Sequence, residues 1–133
     1  MDATKQDINR FAKKWLEKYQ DKRTSENELE ELFSRDCFAL GFTMDCGESF
    51  IARYGNDAFQ GTDGLKKMIG TVDNVELLAS AIFSRWRYYT HWTCSPIDRE
   101  WFVVALSRLK GITEEVLQIC CKYSEILSKS EWV

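Results

Sequence analysis

The apolar residues near the start of the chain repeat with the period of an α-helix, and this pattern most constrains the fold. They stand at i, i+3, i+4, i+7, i+8 and i+11, on one side of a helix: Ile8, Phe11, Ala12, Trp15, Leu16 and Tyr19. Lys13, Lys14 and Glu17 line the other side. Alternation of apolar and polar residues, which a half-buried β-strand needs, is nearly absent from the chain. The sequence therefore predicts an all-α fold.

Capping signals predict the second helix. In the stretch "SENE", Ser25 is placed to cap a helix and Glu28 to complete a capping box. The helix is expected to end near Gly41, a suitable residue for the position after a helix. Residues 4–40 are thus predicted to form an N-terminal helix pair.

Residues 42–72 contain glycines at short intervals, so no segment is long enough to show a clear period. Two short helices are expected here, near 46–54 and 63–69. The alternative is a small hairpin or an irregular region within 42–60, because the apolar residues of "FTMDCGESFIARYG" suit either structure.

A central helix pair is predicted over residues 74–110. The first of its helices is expected to be capped by Asp73 and to continue to about Trp92. The stretch "SPID" places Ser95 at the N-cap of the next helix, directly before the only proline, with a tight corner at 93–95. This second helix is almost entirely apolar before Gly111, so it is expected to be the central helix of the domain.

A last helix is predicted from Thr113, over residues 114–128, with "SKSEWV" as a frayed tail. The 133 residues lie within the usual size of one domain. The sequence thus predicts a compact single-domain bundle of six or seven helices.

Cysteine usage and hydropathy indicate the compartment. Five cysteines are an odd number, and adjacent Cys120 and Cys121 cannot easily bond to each other. There is no N-terminal apolar segment of the signal-peptide type, and no apolar run approaches the roughly 18 residues that span a bilayer. We therefore expect a reduced, cytoplasmic protein that does not contact membranes.

The charge of the chain is unevenly distributed. The net charge of −3 argues against a protein that binds nucleic acid by broad neutralisation of its phosphates. A nucleic-acid partner is therefore not favoured. Residues 21–64 carry four Lys or Arg against ten Asp or Glu, a net charge of −6, and residues 65–110 carry seven against four, a net charge of +3. The two stretches either face each other, within one chain or between two copies, or are simply solvated surfaces.

The stretch "RWRYYTHW" at residues 85–92 is the most site-like feature of the sequence. On a helix its Trp86 and Tyr89 continue the apolar stripe that starts at Val75. The opposite side collects polar residues that can donate hydrogen bonds: Ser80, Ser84, Arg87, Tyr88 and His91.

This polar stripe has two interpretations. As a ligand site, Arg87 supplies a planar fork for a carboxylate or phosphate, with His91 one turn away and hydroxyls from Tyr88 and Ser84. As a second packed face, it would pair Arg87 with an acidic residue and bury Tyr88, while His91 donates to a backbone carbonyl. Only the tertiary structure decides between them.

The loop "DCGES" offers further ligand-binding candidates, Asp45 and Cys46. If this loop folds over the fifth helix, Cys46 and His91 are expected to form a thiolate–imidazole pair. Nothing in the spacing demands this arrangement. No CxxC, HExxH or glycine-rich phosphate loop is present, so neither a metal site nor a cofactor is predicted.

Three functions follow from these residues. The first is a non-catalytic protein-interaction or self-associating module, with Tyr88, Trp92 and Arg85 at the contact surface. The second is a small-ligand or anion-binding pocket around Arg87 and His91, with or without enzymatic activity and without a cofactor. The third is binding of single-stranded nucleic acid, because Arg85 and Arg87 alternate with aromatic rings that stack on bases.

Overall fold

The structure, a computed structural model, describes the backbone of residues 3–130 and the side chains of residues 3–124. Within this range it contains six α-helices and no strand, which confirms the all-α bundle. The helices are α1 Lys5–Gln20, α2 Phe33–Ala39, α3 Glu48–Tyr54, α4 Thr62–Met68, α5 Val75–Arg87 and α6 Arg99–Ser130. None of the helices in the described range is both long and apolar enough to cross a membrane.

Four shorter helical segments adjoin the α-helices. Two are wide π-helical turns, at Glu28–Leu32 before α2 and at Tyr88–Trp92 after α5. Two are tighter 3₁₀ turns, at Asp57–Gln60 and Ile69–Thr71, on either side of α4.

Helix α1 has the buried face that its periodicity predicts. The backbone N–H of Asp7 donates to the Thr4 hydroxyl at 3.1 Å, and the Asp7 carboxylate accepts from the Thr4 N–H, so a capping box starts the helix. Five of the six stripe residues are buried and Leu16 is half-buried. The stripe packs on α6 in antiparallel orientation, since the Tyr19 ring stacks on Phe102 at 4.8 Å and the Asn9 amide donates to Thr113 at 2.9 Å.

The second helical region starts and ends as predicted. The Ser25 hydroxyl accepts a hydrogen bond from the Glu28 N–H at 3.2 Å, which is half of the expected capping box. The Glu28 carboxylate binds Lys18 at 3.1 Å instead of reaching back to Ser25. At the other end, Gly41 has a φ of +75°, the left-handed conformation that glycine adopts after a helix.

Residues 42–72 fold into short helices, and the hairpin alternative is wrong. The Asp45 carboxylate accepts hydrogen bonds from the N–H groups of Gly47 and Ser49, at 3.0 and 3.2 Å. These bonds satisfy the free donors at the start of α3. Phe50 is then buried against Phe59, at 5.8 Å between ring centroids, so a helical turn rather than a strand pair fills this part of the core.

Helix α5 is the most completely buried helix of the bundle. Ten of its thirteen residues are buried, including Ser80, Ser84 and Arg85. In α6 the apolar Val103 and Val104 are only half-buried and Ser107 is exposed. Helix α6 nevertheless packs on α1, α4 and α5, as expected of the central helix, although it is buried on fewer sides than its apolar composition predicts.

Two predicted helix caps lie one to three residues from the observed ones. The Asn74 side chain caps α5 by accepting from the Leu77 N–H at 3.0 Å, because the Asp73 carboxylate is taken by the Tyr54 hydroxyl at 2.7 Å. Asp98 caps α6, accepting from the Trp101 N–H at 3.4 Å. The predicted cap Ser95 therefore lies in a connection between Thr93 and Asp98 that is longer than the expected corner.

Helix α6 does not end at Gly111, so a separate seventh helix over 114–128 is wrong. The helix continues to Ser130, and the Thr113 hydroxyl donates to the Leu109 carbonyl at 2.9 Å just beyond the glycine. One glycine inside a helix costs only about 1 kcal/mol relative to alanine, which the packing of α6 on α1 outweighs. The first half of the predicted tail "SKSEWV" is the end of α6, and its last three residues lie outside the described residues.

The uneven charges are partly paired within the chain. The Arg99 guanidinium, from the basic stretch, lies 3.7 Å from the Glu26 carboxylate of the acidic stretch and donates to the Thr24 carbonyl at 2.6 Å. Lys66 and Glu100 also form a pair, at 2.6 Å, but both belong to the basic stretch. The interpretation that the stretches face each other within one chain is therefore right for Arg99.

Candidate functional site

The C-terminal end of α5 and the π-helical turn after it divide "RWRYYTHW" into a buried and an exposed part. Trp86 and Tyr89 belong to the core, as predicted from the stripe. The exposed part consists of Arg87, Tyr88, His91 and Trp92, which we call the aromatic face. Tyr88 is 38% exposed and Trp92 is 51% exposed.

The two large rings of the aromatic face contact each other. Tyr88 and Trp92 are four residues apart, which places them one turn apart on the same side of the helix. Their centroids are 6.4 Å apart and their planes nearly perpendicular, at 88°, the edge-on geometry that aromatic rings favour. The Thr93 N–H donates to the Tyr88 carbonyl at 3.0 Å and so closes the π-helical turn that carries both rings. Wide turns of this type are frequent at functional sites.

Arg85 lies beneath the aromatic face, buried, whereas we predicted it at a contact surface. Its guanidinium donates to the Phe59 carbonyl at 2.9 Å and to the Tyr89 hydroxyl at 3.0 Å. It also lies over the rings of Tyr88 and Trp101, at 4.6 and 5.7 Å from their centroids. The buried Nε has no partner, and among the described residues no carboxylate lies within ion-pair distance of this cation. Arg85 therefore supports the face from below.

The phenol of Tyr89 belongs to this buried arrangement. Burial raises its pKa, and the nearby Arg85 guanidinium opposes that shift only in part. Tyr89 thus stays neutral at physiological pH, where its hydroxyl oxygen accepts from Arg85.

Arg87 points to the exposed side, as the helical wheel predicts. Its Nη1 lies 3.4 Å from the Met44 sulfur, which is a weak acceptor. No acidic side chain of the described chain forms an ion pair with it, so the packed-face interpretation, which required such a pair, does not hold at this residue. The Arg87 guanidinium is thus accessible to the carboxylate of a ligand or of another protein.

His91 is exposed and its ring packs edge-on against Trp86, with 5.6 Å between centroids. Within the described residues its imidazole has no hydrogen bond to Arg87, to Cys46 or to a backbone carbonyl. The structure therefore places His91 next to Arg87 without joining the two in a site.

The remaining candidates do not gather around His91. Ser84 is buried and its hydroxyl has no hydrogen-bond partner. Asp45 accepts a hydrogen bond from Ser80, which precedes His91 by about three helical turns. The hydrogen bonds to the Asp45 carboxylate, chiefly the one from the Ser49 hydroxyl, lower its pKa. Cys46 is exposed with a φ of +62°. Since Ser80 and His91 are about 16 Å apart along the helix, Asp45 is a structural cap of α3 rather than a partner of His91.

Two surface clefts among the described residues are lined by residues other than those of the aromatic face. A cleft of about 240 Å³ between α1 and α2 has an apolar floor of Phe11, Ala39 and Leu40. Another, of about 310 Å³, is formed by Glu26 and Glu30 facing Tyr89 and Thr90. Neither cleft is lined by Arg87 or His91, so these two residues do not belong to either of them.

Sequence analysis missed three exposed apolar residues. Phe38 is 67% exposed and packs its ring on Phe83 at 5.1 Å. Ile119 and Tyr123, both on α6, are 66% and 63% exposed. Phe38 follows the buried Cys37, one step off the apolar stripe of α2, and that position was the available signal.

No group of three or more His, Cys, Asp or Glu side chains in the described range is arranged to hold a metal ion. The sequence matches no protein-family model, no curated protein and no solved structure. The function therefore has to be argued from the chain itself.

Proposed function

We propose that this protein is a non-catalytic protein-interaction module that binds its partner through the aromatic face. One observation carries this proposal: Tyr88 and Trp92 hold two large, partly exposed rings together at the surface. Exposed aromatic rings that adjoin each other are typical of contact surfaces, where Trp, Tyr and Arg contribute most of the binding free energy.

The charge of the face indicates the chemistry of the partner. Arg87 supplies a planar guanidinium, bonded only to the Met44 sulfur within the described residues, beside the two rings. A partner segment that places a carboxylate next to an apolar side chain would bind both features, since Arg and carboxylate form paired hydrogen bonds. We place this interaction in the cytoplasm, in line with the five free thiols.

The test starts with a photo-cross-linking amino acid in place of Trp92, expressed in the source cells, followed by identification of the cross-linked protein. The purified pair is then measured by isothermal titration calorimetry. We expect Trp92→Ala and Arg87→Met each to weaken binding by about tenfold or more. Ile51→Ala, at an exposed apolar residue of α3, is the matched control and should bind like the parent.

Two outcomes would overturn the proposal: no protein cross-links at position 92, or the identified partner binds the Trp92→Ala and Arg87→Met variants as tightly as the parent. Unfolding midpoints of both variants are measured in parallel. Because both side chains are exposed, a loss of binding without a loss of stability assigns the effect to the surface.

The anion-binding alternative is favoured by one observation, the position of Arg87 and His91 one turn apart on the same exposed side. Titration of the protein with inorganic phosphate, followed by the His91 NMR signals, tests it. A saturable shift that disappears in Arg87→Met would support a ligand site. The nucleic-acid alternative is weakened by the burial of Arg85, and salt-sensitive retention on an oligonucleotide tests it.

A further inference from the structure

Helix α6 carries one apolar stripe from the core into solvent. Its members alternate at three and four residues, the spacing of a coiled-coil seam: Phe102, Ala105, Leu109, Ile112, Val116, Ile119 and Tyr123. The first four are buried. Val116 is half-buried, and Ile119 and Tyr123 are mostly exposed.

The stripe of α6 becomes exposed because α1, the helix that covers it, is shorter than α6. Helix α1 has 16 residues and α6 has 32, which correspond to about 24 and 48 Å. The two are antiparallel, with Tyr19 next to Phe102 and Asn9 next to Thr113. Continuing this alignment, the start of α1 lies opposite residues 116–117, and residues 118–124 are all exposed.

We propose that the C-terminal part of α6, residues 118–130, is covered by the same part of a second copy of this chain, so that the protein forms a two-fold dimer. We call this segment the overhang. The stripe supports this occupant because two identical helices with a three-four stripe offer each other the complementary surface of a coiled coil. Each overhang is about 20 Å long, which is close to the length of α1.

Sterics determine the direction of the pairing. The stripe faces the side on which α1 packs, so a parallel partner would bring its own α1 and core into the space that the first chain occupies. An antiparallel partner instead enters from the free end of α6, and its helix continues the line of α1. The C-terminal end of the partner helix then meets the N-terminal end of α1, a favourable arrangement of the two helix dipoles.

Two adjacent thiols report on this geometry. At about 100° per residue, Cys120 lies on the flank of the stripe next to Ile119, whereas Cys121 lies on the opposite side of the helix. Both are exposed free thiols. In an antiparallel pair the two Cys120 side chains lie on the same flank of the seam, and the two Cys121 side chains point away from it. With residues 118–130 paired end to end, position 120 lies opposite position 128 of the other copy, so the two Cys120 side chains are about 12 Å apart along the seam.

Sedimentation or light scattering over a range of concentrations tests the dimer with the full chain. We expect the mass to rise with concentration towards twice the chain mass of 15.6 kDa. Ile119→Asp and Tyr123→Asp should each weaken dimerisation by about tenfold or more, because each buries a charge in the seam. Cys121→Asp introduces the same charge on the far side of the same helix, and we expect it to dimerise like the parent.

Thiol cross-linking tests the orientation. In a chain with Cys46→Ser and Cys94→Ser, one variant keeps only Cys120 of the adjacent pair and another keeps only Cys121. A bis-maleimide with a spacer long enough to reach about 12 Å joins one thiol of each chain. Each maleimide adds the S–H across its C=C bond, so no group leaves and no oxidant is needed. The Cys120 variant should form a cross-linked dimer much faster than the Cys121 variant, whose thiols lie on opposite outer sides of the helix pair.

A parent chain that stays monomeric at all concentrations would overturn the dimer, and equal or faster cross-linking through Cys121 would overturn the antiparallel seam. Folding of every variant is followed by circular dichroism, and since all substituted side chains are exposed, unchanged spectra are expected. These outcomes do not depend on the aromatic face, which lies beyond the other end of α6.

Discussion

At the scale of single residues, the most informative side chain is Arg85. A buried guanidinium without a carboxylate is unusual, because removal of a charge from water is costly. Here the charge is compensated by a backbone carbonyl, by the Tyr89 hydroxyl and by three aromatic rings: Tyr88, Tyr89 and Trp101. The cation thereby links α5 and the aromatic face to the start of α6.

Replacement of Arg85 by methionine should destabilise the fold. The substitution removes two charge-assisted hydrogen bonds and the cation–π contacts, and it leaves the Phe59 carbonyl without this donor, so we expect a loss of about 2 kcal/mol. The same change two residues later, Arg87→Met, should stay within about 0.5 kcal/mol because Arg87 is exposed. Urea unfolding measures both, and equal effects would contradict the role of Arg85.

At the scale of elements, α6 shows how far a local signal can mislead. The glycine at position 111 resembles a helix terminator, yet the helix continues for 19 residues beyond it. The apolar stripe holds the helix together across this point, since Leu109 and Ile112, on either side of it, are both buried. Glycine there is tolerated rather than required, because a Cβ at Gly111 would meet nothing within 4 Å.

Gly111→Ala should therefore stabilise the protein. Alanine is favoured over glycine inside a helix by about 0.5–1 kcal/mol, and here no neighbour opposes the added methyl group. Thermal unfolding would show a higher midpoint. If Gly111 were a helix terminator with a positive φ, alanine would destabilise the fold instead.

Gly47→Ala is the matched control. Gly47 has a φ of +80°, and a Cβ there would lie 2.8 Å from the Phe59 ring. The same substitution should therefore lower the midpoint, since both the backbone conformation and the packing oppose it.

At the scale of the whole molecule, the aromatic core and the surface features are separate. The core joins α1, α2, α5 and α6 through ring contacts such as Phe33 with Phe102, at 5.8 Å, and it also buries the thiol of Cys37. The aromatic face lies just before the start of α6, and the overhang at its other end begins about 28 Å further along the helix. An antiparallel dimer would thus carry two aromatic faces at its outer ends, which suits simultaneous binding of two partner segments.

Cys37 should report global unfolding. It is fully buried and burial raises the pKa of its thiol, whereas Cys46 and Cys94 are exposed. In pulse labelling with iodoacetamide, read by peptide mass spectrometry, Cys46 and Cys94 should react at once. Cys37 should react only at the rate set by global opening, and rapid labelling of Cys37 in native conditions would contradict the packing of α2.

The sequence by itself determined the helical class and most of the buried faces, because apolar periodicity is a local property and survives in any helical packing. It placed Ile8 to Tyr19, Trp86 and Tyr89 in the core correctly. Tertiary structure decided what local pattern does not encode: Tyr54 took the Asp73 carboxylate and moved a cap to Asn74, and the Phe59 carbonyl and the Trp101 ring hold Arg85 in the core. It also left Ile119 and Tyr123 exposed. The apolar stripe of α6 continues past the start of α1, so the length of α1 decides which residues of the stripe are buried.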